Sequence, residues 1–208
     1  GCTSLSDVES MDKITQLGAG AFNGTAITTA DLTGLTGETL STSITLGEDT
    51  YDNGAAFMNC TQLTTVTLPE NIKTINFSSF AQCTSLKNIN LGSVETVGGY
   101  AFEDCNALQI ADLISAMVIG DNAFEASGIK YLRLGESLSS LGVSSFNNTR
   151  GLTIYYGTGK EAWENEWSEQ ALLQASLNAA DVKPASAWEG DIAAAQSAAG
   201  QLLGRFGF

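Results

Sequence analysis

Hydrophobic residues recur along this chain with a fixed period. The unit CTQLTTVTLPENIKTINFSSF, residues 60–80, recurs as CTSLKNINLGSVETVGGYAF and then as CNALQIADLISAMVIGDNAF. Phenylalanine closes each unit, at positions 22, 57, 80, 102, 124 and 146, so the successive spacings are 35, 23, 22, 22 and 22 residues. A constant period of this size is typical of a solenoid, in which each repeat buries its apolar face against its neighbours.

Within each repeat, an alternating apolar segment comes first. Its inward positions are Val66/Leu68, Ile89/Leu91, Ala111/Leu113, Leu132/Leu134 and Ile154/Tyr156. Alternation with a period of two predicts a short strand, and one strand per repeat predicts a parallel sheet along one face of the solenoid.

A turn and the phenylalanine follow the strand. An aliphatic residue usually precedes glycine here, as in Val97-Gly98, Ile119-Gly120 and Leu141-Gly142. Glycine at a recurring position predicts a left-handed backbone conformation. The segment that carries the phenylalanine is predicted to form one helical or 3₁₀ turn, and the inward rings are predicted to stack about 5 Å apart in an offset arrangement.

The period sets the boundaries. We predict an α/β solenoid array over 2–158, with 22–23-residue repeats and a Thr- and Gly-rich insertion at about 33–45. Residues 159–208 are predicted to form a helical cap and tail, with a helix over 159–182 and an Ala-rich helix from Asp191 to Leu203. A cap of this kind covers the open end of a repeat stack.

Three of the four cysteines occupy one slot of the repeat. Cys60, Cys83 and Cys105 each follow a repeat phenylalanine by three residues, and other repeats place Thr or Ser there. Side chains in stacked repeats point in parallel, so we predict a ladder of buried thiols without disulfides. For Cys2 two interpretations stay open: a further repeat cysteine, or the lipid-modified first residue of a mature bacterial lipoprotein.

Composition narrows the classes of partner. The chain of 208 residues has 9 Lys+Arg, 23 Asp+Glu and no histidine, which gives a formal net charge of −14. That balance argues against nucleic acid, which needs a basic surface, and no apolar run is long enough to span a bilayer. Without histidine, the usual general base and metal ligand are absent. The stretch EDTYDNG, 48–54, half-resembles a calcium loop but is interpreted as a solvated acidic turn, so no metal and no cofactor is predicted.

The repeat motif A/S-F-x-x-C-x-x-L-x-x-I/V-x-L resembles the BspA-like class of leucine-rich repeat proteins over about residues 2–167. The closing segment LTIYYGTGKEAWENEW, 152–167, also looks like the way such arrays end. The resemblance implies a leucine-rich-repeat solenoid in a secreted or cell-surface protein, commonly bacterial, that adheres to other proteins or to host surfaces.

Outward positions of the strands supply the candidate site. Most are small and polar, but the last three strands are predicted to present one exposed patch for ligand binding: Ile110, Asp112, Tyr131, Arg133 and Tyr155. Tyrosine and arginine are enriched at binding hot spots, whereas the alternative is ordinary surface and contact with the C-terminal cap.

Three functions are open at this stage. The first is a non-enzymatic, monomeric adhesion module that binds an extracellular or host-surface protein, or a glycan. The second is a structural spacer in a larger surface protein. The third is a carboxylate-dependent glycan hydrolase, which requires two nearby carboxyl groups but no histidine.

Overall fold

The computed structural model describes residues 2–46, 49–51, 54–173, 177 and 179–205. It is a parallel-strand solenoid with a C-terminal helix, which confirms the predicted fold class. The strands of its main face are β1 (Thr29–Asp31), β4 (Thr65–Thr67), β6 (Asn88–Ile89), β8 (Ile110–Leu113), β10 (Tyr131–Leu134), β12 (Thr153–Tyr155) and β13 (Asp181–Lys183). A second face carries β5 (Thr74–Ile75), β7 (Thr96–Val97), β9 (Val118–Ile119) and β11 (Ser140–Leu141).

Six further elements lie in the part of the chain that the structure describes. An antiparallel hairpin joins β2 (Ile44–Leu46) to β3 (Asp49–Tyr51). Helix α1 spans Lys160–Leu173, and helix α2 spans Trp188–Arg205. Short 3₁₀ helices lie at Met11–Lys13 and Ala185–Ala187.

The main face consists of two parallel sheets. Their strand orders are β1-β4-β6 and β13-β12-β10-β8, so the junction lies between β6 and β8. Equivalent residues of neighbouring coils pair directly; Leu132 lies opposite Ala111 on one side and Ile154 on the other. All three are fully buried, as the alternating pattern predicts. The second face is continuous from β5 to β11.

A ladder of phenylalanine rings fills the interior. From Phe22 through Phe146, successive ring centroids lie 5.0–5.3 Å apart and the interplanar angles are 2–14°. This confirms the predicted stack, and it follows from the spacing of about 4.8 Å between adjacent strands.

The turns around these phenylalanines are not helical, so the prediction of a helical or 3₁₀ turn there is wrong. Residues two before and two after each ring are left-handed, for example Tyr100 and Asp104, both with φ of 56°. This alternation aims the N–H groups of Tyr100, Phe102 and Asp104 at the next coil. They donate to carbonyl oxygens of Asp121, Ala123 and Glu125 at 3.0, 2.7 and 2.9 Å. A helical turn would direct the same groups back into its own coil.

The recurring glycines are also explained differently from the prediction. Gly98, Gly120 and Gly142 do not have positive φ. A Cβ added to Gly120 would lie 2.6 Å from the backbone nitrogen of Gly99, and one added to Gly142 would lie 2.3 Å from the carbonyl carbon of Gly120. Glycine is therefore required by the close approach of two backbones, and the predicted left-handed conformation at these positions is wrong.

The thiol ladder is confirmed for three cysteines. The Sγ atoms of Cys60, Cys83 and Cys105 are buried and unpaired by disulfides. They donate to carbonyl oxygens of the phenylalanine one coil earlier: Phe22 at 3.0 Å, Phe57 at 3.0 Å and Phe80 at 3.1 Å. Cys2 is exposed and lies outside this ladder.

The insertion lies later in the chain than predicted. Leu35 and Leu40 are buried in the core, and Thr39 bridges to Thr74 of the next coil, so residues 33–42 follow the regular path. The extra residues are 43–53, which contain the β2–β3 hairpin. Because Thr and Gly residues surround the two leucines, the sequence pattern did not identify them as core residues. Of the predicted acidic turn, Glu48, Asp52 and Asn53 lie outside the described residues.

The cap also differs from the predicted single helix over 159–182. Helix α1 buries Trp163 and Trp167 near Tyr156, but residues 181–183 form β13. Val182 of β13 pairs with Ile154, which extends the main sheet by one strand. This pairing gives hydrogen-bond partners to the backbone groups at the edge of β12, which would stay unpaired if the helix continued through 181–183.

We expect the substitution Phe102→Ala to lower the free energy of unfolding by about 3–5 kcal/mol, because it removes a ring stacked on two others and leaves a cavity. Phe77→Ala is the matched control, since Phe77 is 55% exposed. It should cost under about 1 kcal/mol. Guanidinium chloride unfolding followed by circular dichroism measures both, and equal losses would contradict a dominant role for the ring ladder.

We expect one of the four thiols to react rapidly with Ellman's reagent in the native protein. Cys2 is exposed, whereas Cys60, Cys83 and Cys105 are fully buried and out of reach of the reagent. Burial also raises the pKa of the Cys105 thiol to about 12, which disfavours its nucleophilic thiolate. In denaturant all four should react. A Cys2→Ser variant should show no rapid native reaction; a rapid phase in that variant would show that the ladder opens easily.

Candidate ligand-binding face

The main sheet brings the five predicted site residues together in two rows. Ile110 lies beside Tyr131, and Asp112 lies beside Arg133, which lies beside Tyr155. The rows are alternate positions on three neighbouring strands, β8, β10 and β12, so all five side chains emerge on the same face.

Arg133 binds two partners on different elements. Its Nε and Nη2 atoms donate to the carboxylate oxygens of Asp112 at 2.8 and 2.5 Å, which raises the pKa of the guanidinium. The same guanidinium carbon lies 5.0 Å from the ring centre of Trp188, and Nη1 donates to Glu189 at 3.3 Å. Arg133 therefore attaches the start of helix α2 to the sheet through a cation–π contact and an ion pair.

Tyr155 holds the same helix from the next strand. Its ring meets Trp188 edge-on at 5.2 Å, and its hydroxyl donates to Asp191 at 2.9 Å. Tyr155 is fully buried, so its predicted exposure is wrong. Burial raises the pKa of its hydroxyl, and the hydrogen bond to Asp191 raises it further.

Asp191 completes this attachment with Lys183 of β13, whose Nζ lies 2.8 Å from the carboxylate. The hydrogen bonds from Lys183 and then from Tyr155 lower the pKa of Asp191 below its ordinary value of 3.8. Its contribution to docking is therefore complete above that value and is lost as the pH falls through the lower folded pKa.

Ile110 and Tyr131 remain half-exposed beside a groove. The groove has a volume of about 330 Å³ and lies between the main sheet and α2. It is lined by Ile110 and Tyr131 together with Lys87, Asn88, Ala107, Gln109, Ala195 and Gln196. A second depression of about 580 Å³ continues from Asn88 and Ile110 across β4. The groove thus lies above the junction of the two sheets.

Sequence reasoning missed the helix wall and the polar margin of this groove. Lys87 and Gln109 directly precede outward strand positions, and the strand period alone does not distinguish them from ordinary surface. One signal was available for α2: acidic Glu189 and Asp191 closely follow the aromatic Trp188, and this segment complements the outward Arg133 and Tyr155.

The arrangement does not favour carboxylate catalysis. Asp31 on β1 and Asp112 on β8 are three strand positions apart, which corresponds to about 14 Å, whereas glycosidase carboxyl groups lie within about 9.5 Å of each other. Both oxygens of Asp112 already accept hydrogen bonds from Arg133. Among the described residues, no group of three acidic or cysteine side chains is placed to hold a metal ion.

Stacked coils with a parallel strand each and an aliphatic and aromatic interior define a leucine-rich repeat protein. The family described as the BspA type leucine rich repeat region matches residues 1–43 and 49–160 in six copies. The chain belongs to this family. Within the part of the chain that the structure describes, no helix has the length and apolar character needed to cross a membrane.

Solved structures give three similar proteins. A leucine-rich repeat protein from Bacteroides ovatus is 23% identical with a TM-score of 0.47, over 61% of this chain and 33% of that one. The Treponema pallidum leucine-rich repeat protein is 26% identical with a TM-score of 0.47, over 49% and 50%. A leucine-rich cell surface protein from Faecalibacterium prausnitzii is 18% identical with a TM-score of 0.30, over 57% and 46%. The chain therefore spans a third to a half of these proteins. No curated protein matches it.

We expect Trp188→Ala to release α2 from the sheet, because Trp188 carries the ring contacts to both Tyr155 and Arg133. Hydrogen exchange of backbone amides in 188–198 should accelerate by about tenfold or more, while amides of β9 keep their protection. Ser197→Ala, an exposed change in the same helix, serves as the control. Unchanged exchange in Trp188→Ala would show that α2 is held by other contacts.

Proposed function

We propose that this chain is a non-enzymatic protein-binding module of an extracellular or cell-surface bacterial protein, and that it acts in adhesion as a monomer. The observation that carries the proposal is the groove in which Ile110 and Tyr131 lie half-exposed between the main sheet and α2. An aliphatic and an aromatic side chain in a concave site are the usual anchors of a protein interface.

The rigidity of the floor supports this proposal. Ile110 and Tyr131 stand on strands whose inward residues are fully buried, and hydrogen bonds join β8, β10, β12 and β13 into one sheet. A floor that does not rearrange loses little conformational entropy when a ligand binds. The non-enzymatic part of the proposal rests on the separation of the face carboxylates and on the pairing of Asp112 with Arg133.

The five candidate residues then divide by role. We infer that Ile110 and Tyr131 contact the ligand directly. Asp112, Arg133 and Tyr155 hold α2 in place, so that they shape one wall of the groove. Membership of the BspA-type family supports protein binding at a cell surface or outside the cell.

The purified chain should bind saturably to one or more members of an array of extracellular-matrix and host-surface proteins. The double variant Ile110→Ser/Tyr131→Ala should bind at least about tenfold more weakly, because it removes both apolar anchors. Val143→Ser removes an apolar side chain that is 73% exposed and lies outside the groove, and it should bind like the parent. Equal binding by all three proteins would move the site away from this groove, and no binding by the parent would oppose the adhesion role.

A further inference from the structure

The groove has a local charge opposite to that of the chain. The formal net charge of the protein is −14, yet the charged side chain that lines the groove is Lys87. Lys130 lies in the same column of the repeat, two coils after Lys87. Its backbone N–H donates to the carbonyl oxygen of Gln109, in the coil between them, at 2.9 Å. Both lysines are exposed, and none of the ion pairs among the described residues includes either of them.

Two exposed ammonium groups beside one groove favour partners that carry negative charge. A desolvated contact between either lysine and a carboxylate would gain energy without breaking an existing ion pair. The chain has a formal net charge of −14, so these two lysines give the groove a local attraction for an acidic segment that most of the surface lacks.

The floor between the lysines is apolar. Ile110 and Tyr131 contribute from the sheet, Ala107 from the turn before β8, and Ala195 from α2. Asn88, Gln109 and Gln196 supply amide donors and acceptors at the margins. The groove crosses β6, β8 and β10, a span of about 10 Å, which corresponds to about three residues of an extended peptide at 3.3 Å each.

We propose that this groove binds an extended acidic peptide segment of a partner protein. One apolar side chain of that segment enters between Ile110, Tyr131 and Ala195, and neighbouring carboxylates meet Lys87 and Lys130. Amides at the margins pair with the peptide backbone. This inference rests on the proposed binding function and names the kind of ligand that the site takes.

Helix α2 is part of the site in this proposal. Ala195 faces the groove with a methyl group, so a larger residue there would fill the space that the apolar side chain needs. The wall is held in position by Trp188 on Arg133 and Tyr155. A carbohydrate fits this surface less well, because aliphatic side chains form most of the floor and Tyr131 provides the single aromatic face among the lining residues.

The test uses the full chain and blocked nonapeptides. The first peptide has a central leucine with two acidic residues on each side; the second has alanine at the centre; the third keeps leucine but has lysines in place of the acids. Titration followed by ¹H–¹⁵N NMR should show saturable shifts at Gln109, Tyr131 and Ala195 with the first peptide. We expect binding about tenfold weaker with the alanine peptide and no saturation with the lysine peptide.

Matched variants assign the contacts. Lys87→Glu should weaken binding of the acidic leucine peptide by about tenfold or more, and Ala195→Trp should abolish it by closing the pocket. Lys13→Glu is the charge control, since Lys13 is an exposed lysine on the first coil. Equal affinity for the acidic and lysine peptides, equal loss in Lys87→Glu and Lys13→Glu, or no saturation with any peptide would each overturn the proposal.

Other ligands give distinct outcomes. Shifts of the same amides by 3′-sialyllactose, without competition from the acidic peptide, would assign the groove to an acidic glycan and overturn the peptide proposal. Binding of an array protein that is lost in Ile110→Ser/Tyr131→Ala but unchanged in Lys87→Glu would leave the binding function standing and reject the acidic ligand. Loss of array-protein binding both in Ile110→Ser/Tyr131→Ala and in Lys87→Glu would support the binding function and the acidic ligand together.

Discussion

Burial of each coil depends on its two neighbours. The phenylalanine rings repeat at 5.0–5.3 Å because the strands that carry the coils repeat at about 4.8 Å, so one spacing governs the ring stack, both strand faces and the thiol ladder. That spacing also explains the turns. Left-handed residues on either side of each ring aim backbone N–H groups along the stack, and glycines such as Gly120 and Gly142 allow two backbones to approach.

Periodicity in the sequence was sufficient for features that repeat within one coil. It predicted the strands, the stacked rings and the buried Cys60, Cys83 and Cys105, because each depends on a residue type recurring at one slot. It was insufficient where the reason lies between coils. Gly120 is glycine because the backbone of the neighbouring coil lies too close for a side chain, and the sequence pattern alone cannot distinguish this reason from a positive φ. Strand β13 forms because the edge of β12 has unpaired backbone groups with which it can pair.

In the candidate site, too, the sequence predicted what depends on the repeat and missed what depends on contacts outside it. Register alone placed Ile110, Asp112, Tyr131, Arg133 and Tyr155 on one face, and the structure brings them together. The docking of α2 over two of them follows from tertiary contacts of a segment that has no repeat, so the strand pattern could not predict the burial of Tyr155. The short distance between outward Arg133 and the ring of Trp188 turns an expected ligand contact into an internal attachment.

The β2–β3 hairpin shows how this architecture accommodates added sequence. Thr42 still bridges to Gly18 before the excursion, and Gly54 still accepts a hydrogen bond from Gly20 at 3.0 Å after it. The chain therefore leaves and rejoins the stack at adjacent points, and the cost of closing such a loop grows only slowly with its length. In evolutionary terms, this corner is a site where segments can be gained, exchanged or lost while the rest of the solenoid keeps its register, and a protein engineer can use it to display a foreign peptide.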